Sequence, residues 1–372
     1  MGETPPTGKG STPQRGLISG YVWKLIRESV SLTQCQLAEW LSVDVATVQG
    51  WESGRRPLTA LRAGDLARLR VRLIGRGAAP KLFTVLTDAI EADIIIDHAL
   101  HFGTSTSDPR HHPLAVTVHR RDLTNLITWP FNRLLPTQLG DVILAQPKRR
   151  GPAAAGPTVS VSERRRFFDH LLAVAEMHQD PEYALLRRQA VYLLSFDSAR
   201  GTRDWLEHQH VRAVRRVGQD YDLASWVAVR SSAVSLTRYG QRDPLAAFVR
   251  QGFADADRAA ANLNYWAYWL GEVPEIYVDD GFMARNGAAS WDGRRILRHL
   301  LARLEPGADQ FDLDLCTVWQ LVVARPRLLA DRPDLRVRLS TKTSAALDHG
   351  DLDVHARREL SDIAYAIKLS HG

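Results

Sequence analysis

Histidines are the residues of this chain whose type and spacing first suggest chemistry, because imidazole is a common ligand for metal ions. Five of them lie within two dozen residues, at His98, His101, His111, His112 and His119. A metal site needs three or four ligands that converge with a fixed spacing, and this group has neither a cysteine partner nor a known ligand motif. We therefore predict ordinary core or surface histidines, no metal and no cofactor, with a metal site as the lesser alternative.

Catalytic motifs are the next kind of chemistry to consider. The chain contains no Gly-x-x-x-x-Gly-Lys-Ser/Thr loop, no Gly-x-Ser-x-Gly elbow and no Cys-x-x-Cys pair. Asp279 and Asp280 precede Gly281 and are typical of a turn. Cys35 is expected to pack or to contact a partner. We predict that the protein is not an enzyme, although a site assembled from distant residues is invisible in a sequence.

Basic side chains are concentrated after residue 54. The segment from Arg55 to Lys81 contains eight basic residues and only one acidic residue, Asp65. A solvated surface is the usual role of such a run, and contact with phosphate groups is the alternative. The whole chain has a net charge of +6 and a pI of about 9.5, which permits an anionic partner.

Length and composition indicate more than one core. The 372 residues suffice for two or more domains of ordinary size. Two cysteines, Cys35 and Cys316, exclude a disulfide scaffold and favour a reducing compartment. There is neither a long apolar run nor a signal peptide, so we expect a cytoplasmic protein with no membrane partner. Residues 1–15 are expected to form a disordered arm.

The elements that would position the polar side chains are clearest in residues 32–56, called here the motif segment. Its first helix begins with the spacing of a capping box, at Thr33 and Gln36. Asp44 can cap a second helix, which Gly54 would end. The buried sides of the two helices are predicted to be Leu37, Ala38, Leu41, Val48 and Trp51. Two capped helices joined by a tight turn are typical of a helix-turn-helix.

The motif segment resembles the Cro/cI repressor type of helix-turn-helix, also called the XRE family. The matches fall in one register: Leu32, Thr33, Gln34, Leu37, Ala38, Leu41, Val43, Val48, Trp51, Glu52 and Gly54. The resemblance covers about a sixth of the chain. It implies a DNA-binding bundle in which the helix from Asp44 to Glu52 docks in the major groove of double-stranded DNA.

The resemblance also implies roles for individual residues. Gln34 would anchor a phosphate, and Arg27 would form a structural ion pair with Glu52. Their charge and their position after the second helix predict separately that Arg55 and Arg56 meet the phosphate backbone. The remaining contact positions would be Asp44, Val45, Ala46, Thr47, Gln49 and Gly50. Gln49 is the main candidate for direct readout, because a glutamine amide can bond adenine through two hydrogen bonds.

We predict an all-α protein with four parts after the arm. These are a helix-turn-helix bundle at 16–78, a connecting mostly helical region at 79–146, a linker at 147–160 and a helical array at 161–372. The array is similar to tetratricopeptide repeats in its antiparallel helix pairs, although no repeated motif with a period of about 34 residues is visible. Its aromatic stretch, 261–272, is expected to pack on two sides, with a ligand pocket or dimer contact as the alternative.

Together these features predict a sequence-specific DNA-binding transcriptional regulator that forms a homodimer. Its helical array would sense a small molecule, bind a protein effector or hold the dimer. The alternative is a protein-interaction scaffold that the helix-turn-helix domain tethers to DNA. A deep pocket in the array would favour sensing, and a long open groove would favour peptide or protein binding.

Overall fold

The computed structural model describes residues 15–101, 112–118, 120–140, 156–177, 180, 183–219, 222–253, 255–275, 277, 280–284, 291–350 and 352–370. All regular elements among these residues are helical, which confirms the all-α prediction. The expected arm up to residue 14 and the expected linker up to residue 155 lie outside the described residues. None of the described helices is long and apolar enough to cross a membrane.

Contacts between residues divide the chain into two compact units. The first unit comprises residues 1–103 and 122–167, and the second comprises residues 104–121 and 168–372. Each unit buries its own set of apolar side chains. The two units are therefore described separately.

The helices of the first unit are short except for one. They are α1 (Leu17–Ser29), α2 (Gln34–Leu41), α3 (Val45–Glu52), α4 (Ala63–Gly75), α5 (Pro80–His101) and α6 (Arg121–Asn132). Short 3₁₀ turns cover Leu58–Ala60 and Thr137–Leu139. Helix α7 (Val161–Met177) is shared between the units, because the division falls after residue 167.

Helix α1 lies at the centre of the first unit and contacts both α3 and α5. Its inner stripe consists of Ile18, Val22, Leu25 and Ile26, each at most 2% exposed. Gly20 lies where α1 meets the end of α3. A Cβ atom at this position would lie 2.3 Å from the carbonyl oxygen of Trp51, so the close approach of the two helices requires glycine.

The first turn of α1 is capped from a distant helix. Gly16 at the N-cap position has no side chain to offer, and Asp93 of α5 takes that role. Its carboxylate accepts hydrogen bonds from the backbone N–H groups of Ile18 and Ser19, both at 2.8 Å. Burial raises the pKa of the Asp93 carboxyl to about 7. The contact between α1 and α5 therefore includes a buried polar anchor at the start of α1.

The helices of the second unit follow one another from residue 184 to residue 369. They are α8 (Ala184–Leu194), α9 (Arg200–Gln219), α10 (Leu223–Thr237), α11 (Asp243–Gly252), α12 (Ala256–Trp269), α13 (Arg294–Leu301), α14 (Phe311–Ala324), α15 (Leu328–Asp331), α16 (Pro333–Leu347) and α17 (Val354–Leu369). A 3₁₀ turn covers Asp280–Met283, where the sequence predicts a turn.

The aromatic stretch of α12 packs on two sides, as expected. Leu263, Trp266 and Ala267 are buried, and so is Tyr268, whose ring lies 4.4 Å from that of Phe282. Leu270 is only half-buried. The burial of Tyr268 beside the stripe of Leu263, Trp266 and Ala267 shows that the helix is covered over more than one face.

Candidate nucleic-acid interface

The motif segment forms two short helices joined by a three-residue turn. Helix α2 begins with a complete capping box, in which Thr33 Oγ1 accepts from the N–H of Gln36 at 3.1 Å and Gln36 Oε1 accepts from the N–H of Thr33 at 2.9 Å. Ser42 ends the helix in the left-handed conformation. Asp44 holds the N-cap position of α3, but its carboxylate makes no capping hydrogen bond.

A buried ion pair lies beneath these helices. Arg27 Nε donates to Glu52 Oε1 at 2.5 Å, and Arg27 Nη2 donates to Glu52 Oε2 at 3.1 Å. Arg27 Nη1 donates to the carbonyl oxygen of Leu32 at 2.6 Å. The two side chains are 8% and 4% exposed. Because every nitrogen of this guanidinium has a partner, the pair fixes the end of α3 against α1 and the start of the motif segment.

Gln34 is part of the same network. Its Nε2 donates to Glu52 Oε2 at 2.7 Å, and its Oε1 lies 3.5 Å from Gln49 Nε2. The side chain that the resemblance assigns to a phosphate is thus bound within the protein. Gln34 is the first residue of α2, and its backbone N–H therefore lies at the positive end of that helix, where an anion is favoured.

The five predicted base-reading positions of α3 differ in exposure. Ala46 and Gln49 are exposed, Val45 and Thr47 are half-buried, and Gly50 is buried. The side chain of Arg56 covers Gly50, since a Cβ atom there would lie 3.0 Å from Arg56 Cδ. Gly50 therefore serves to let Arg56 approach α3, and the outer face of the helix is formed by the other four.

The two arginines after α3 are exposed but held near it. Arg56 Nη1 donates to Thr47 Oγ1 at 2.7 Å, and Arg55 Nε donates to Ser53 Oγ at 3.2 Å. Both guanidinium groups keep further N–H donors for a partner, because each has five in total. The contact between Arg56 and Thr47 places one positive charge beside the first turn of α3.

Trp40 on α2 is a feature that sequence reasoning missed. The guanidinium of Arg72 lies 4.4 Å from the centre of its ring and donates to its carbonyl oxygen at 2.8 Å. Arg76 lies over the same ring at 5.6 Å. Stacking on tryptophan fixes Arg72 of α4 and Arg76, the C-cap residue of that helix, beside α2 while leaving both exposed. A tryptophan that precedes the strongly basic segment from Arg55 to Lys81 was the available signal in the sequence.

Some of the other candidates for chemistry have partners within the protein, and others lie outside the described residues. His101 Nδ1 lies 2.8 Å from Asp97 Oδ1, and the ring of His112 stacks on that of His170. His111 and His119 lie outside the described residues, as does Asp279. Cys35 is exposed on the first turn of α2, and Cys316 is buried, which raises the pKa of its thiol.

No family model, curated protein or solved structure matches this chain. Function must therefore be inferred from the residues themselves.

Proposed function

We propose that this chain is a sequence-specific DNA-binding transcriptional regulator whose motif segment is a helix-turn-helix of the Cro/cI (XRE) type. One observation carries the proposal. The network of Arg27, Glu52 and Gln34 holds the end of α3 in place, while Ala46 and Gln49 on its outer face are exposed beside basic side chains. A helix held in this way, with an accessible outer face and nearby arginines, fits the major groove and the phosphate backbones beside it.

In this proposal the contacts divide into two classes. Gln49 reads a base edge, and Val45 and Ala46 meet thymine methyl groups. Arg55, Arg56 and the backbone N–H of Gln34 meet phosphates and set the register of α3 without reading sequence. Trp40 keeps Arg72 and Arg76 near the same surface, where they add to its positive potential.

The second unit is proposed to be the regulatory part, a tetratricopeptide-like helical array that senses a ligand. A cavity of about 320 Å³ within this unit supports sensing over the alternative of a protein-interaction scaffold, because small molecules bind in cavities of this size. Homodimerisation remains part of the proposal, since two half-sites about 34 Å apart give more base contacts than one.

The test begins with selection of bound duplexes from a random library by the purified full chain. A Gln49→Ala variant should then lose discrimination at one base pair, worth about 1–3 kcal/mol if the bond to adenine is bidentate. Gln251→Ala is the matched control, because Gln251 is an exposed glutamine of the second unit. Failure of the wild type to enrich any sequence would refute the proposal, and unchanged discrimination in Gln49→Ala would remove the role of Gln49.

A further inference from the structure

The second unit contains a cavity that the proposed DNA contacts do not use. Its volume is about 320 Å³, and helices α8, α9 and α10 form its walls together with Asp280. Part of the wall is apolar, formed by Ala184, Val191, Ala213, Val227 and Ala228. A cavity of this size holds a small organic molecule and is larger than a few water molecules require.

More basic than acidic side chains line this cavity, and most of the acidic ones are already bound to other groups of the protein. Four are arginines, namely Arg187, Arg188, Arg212 and Arg216, and three are aspartates, namely Asp180, Asp222 and Asp280. Asp222 caps α10 through the N–H of Ser225 at 2.7 Å, and Asp280 accepts from Arg188. Two of the three carboxylates are therefore already engaged by the protein.

Arg188 is the unusual member of this set. Its side chain is 6% exposed and lies in the cavity wall. Nη1 donates to Asp280 Oδ1, but Nε and Nη2 are buried and have no hydrogen-bond partner among the described residues. These two nitrogens form the edge of a guanidinium that binds carboxylate or phosphate through two parallel hydrogen bonds. Buried donors without partners are unfavourable, and a ligand oxyanion would remove that penalty.

A hydroxyl group in the same wall is also unsatisfied. Ser231 Oγ on α10 is buried without a hydrogen-bond partner, and Ser231 lines the cavity as Arg188 does. A hydroxyl can donate to a third ligand oxygen. Two independent polar groups of the wall therefore lack partners within the part of the chain that the structure describes.

The surroundings of Arg187 show that this region has an excess of positive charge. Arg187 donates to Gln209 Oε1 at 2.9 Å and to the carbonyl oxygen of Ala175 at 3.2 Å. Burial lowers the pKa of Arg187, and the charges of Arg216 and Arg212 lower it further. Arg212 and Arg216 are exposed on α9, so they can meet a ligand as it enters. An anion in the cavity would relieve this repulsion.

We propose that this cavity binds a small organic anion whose carboxylate or phosphate group is held by Nε and Nη2 of Arg188 and by the hydroxyl of Ser231. Arg212 and Arg216 attract the anion, and the apolar wall takes its carbon skeleton. The side chains of this site define the chemical class of the ligand that the second unit is proposed to sense. Its regulatory meaning rests on the proposed function, whereas binding itself does not.

The experiment measures binding to the full chain without DNA. Thermal unfolding is followed at constant ionic strength with inorganic phosphate, ribose 5-phosphate, succinate and uncharged ribose, each up to about 50 mM. We expect a saturable rise of the unfolding midpoint with a phosphate or a dicarboxylate and none with ribose, because only a ligand that binds the folded state stabilises it in this way. Whichever of phosphate and succinate raises the unfolding midpoint more shows whether the site prefers a phosphate or a carboxylate group.

Variants decide whether the effect arises in the cavity. Arg188→Lys keeps the charge but loses the paired donors, and we expect at least tenfold weaker binding. Ser231→Ala and Arg212→Ala, which carry little risk to folding, should each weaken binding several-fold. Arg357→Ala, an exposed arginine of α17, is the matched control and should change nothing. The proposal is overturned if no oxyanion gives a saturable shift, or if Ser231→Ala and Arg212→Ala both leave the shift unchanged.

Discussion

Two buried arginines, Arg27 in the first unit and Arg188 in the second, show two uses of the same side chain. Their side chains are 8% and 6% exposed, and each has a carboxylate partner, Glu52 and Asp280 respectively. All three nitrogens of Arg27 have acceptors within the protein. Arg188 has an acceptor for one nitrogen and buries the other two without an acceptor in the part of the chain that the structure describes.

The difference separates a structural group from a binding group. A guanidinium whose donors are all satisfied gains nothing from a ligand and holds its neighbours in place. A guanidinium with two buried free donors is already oriented for an oxyanion and has lost the water that would compete with it. Substitutions at the two sites should therefore change different measured quantities.

The largest expected effect comes from breaking the Arg27 network. Glu52→Ala leaves a buried guanidinium without its main acceptor, and we expect the first unit to lose about 3–5 kcal/mol of stability. Chemical denaturation of the full chain measures this as a shift of the transition that belongs to the first unit. Glu39→Ala, on the exposed face of α2, is the control. A loss below about 1 kcal/mol would mean that water reaches Arg27.

His299 sharpens the comparison, because a histidine can avoid an unpaired buried charge by losing its proton. Burial lowers its pKa to about 3, with Arg121 and Arg303 adding to the effect. Only the unfolded chain then binds this proton below pH 6.5, so stability should fall as the pH drops from 6.5 towards 3, by up to about 1.4 kcal/mol per pH unit. His299→Gln should reduce that slope by the contribution of one proton, which is up to about 1.4 kcal/mol per pH unit.

Thermal or chemical unfolding of the full chain between pH 6.5 and 4.5 measures this slope. The exposed histidine His349, changed to Gln, provides the matched control. Equal slopes for the wild type and His299→Gln would show that His299 is charged in the folded protein.

Exposed arginines beside α3 should differ from Arg188 in their response to salt. If the chain binds DNA as proposed, replacing Arg55 and Arg56 together by Ala should change how DNA affinity depends on salt. The slope of the logarithm of DNA affinity against the logarithm of salt concentration should become shallower by up to ~1.8, about 0.9 for each lost phosphate contact. Affinity should fall about tenfold for all duplexes alike. Arg357 and Arg358, an exposed adjacent pair on α17, provide the control double variant. An unchanged slope would mean that Arg55 and Arg56 only cover the surface.

The smallest effect is expected where a buried pair is replaced as a whole. Arg188→Met with Asp280→Asn removes both charges of the cavity pair, and the cost in stability should stay within about 1 kcal/mol. Arg27→Met with Glu52→Gln should cost about 2 kcal/mol more, because the carbonyl oxygen of Leu32 loses its donor and Gln34 loses a charged acceptor. Denaturation of the two double variants side by side measures the difference. Equal costs would contradict the distinction between Arg27 and Arg188.

The parts of the fold that depend on local sequence were predictable. The capping box of Thr33 and Gln36 follows from four consecutive residues, and the stripe of α1 follows from helical periodicity. The pairing of Arg27 with Glu52 came from the resemblance, because nothing in the spacing alone joins residues 25 positions apart.

The parts that depend on tertiary packing were not predictable. Arg187 and Arg188 are adjacent letters in one helix, and the sequence does not say which is buried. The partner of Arg188 lies 92 positions away in a short turn. Likewise, the covering of Gly50 by Arg56 depends on how the chain bends after α3. Burial and long-range pairing decide these sites, and neither leaves a periodic signal.

The cap that Asp93 places on α1 has a consequence for the order in which the protein forms during synthesis. The amide groups of Ile18 and Ser19 leave the ribosome some 75 residues before the carboxylate that binds them. The motif segment is complete much earlier, yet the helix on which it packs lacks its anchor until α5 has emerged. A nascent chain halted between residues 56 and 93 should therefore contain an incompletely folded first unit. The proposed docking of α3 on DNA should become possible only when α5 has folded against α1.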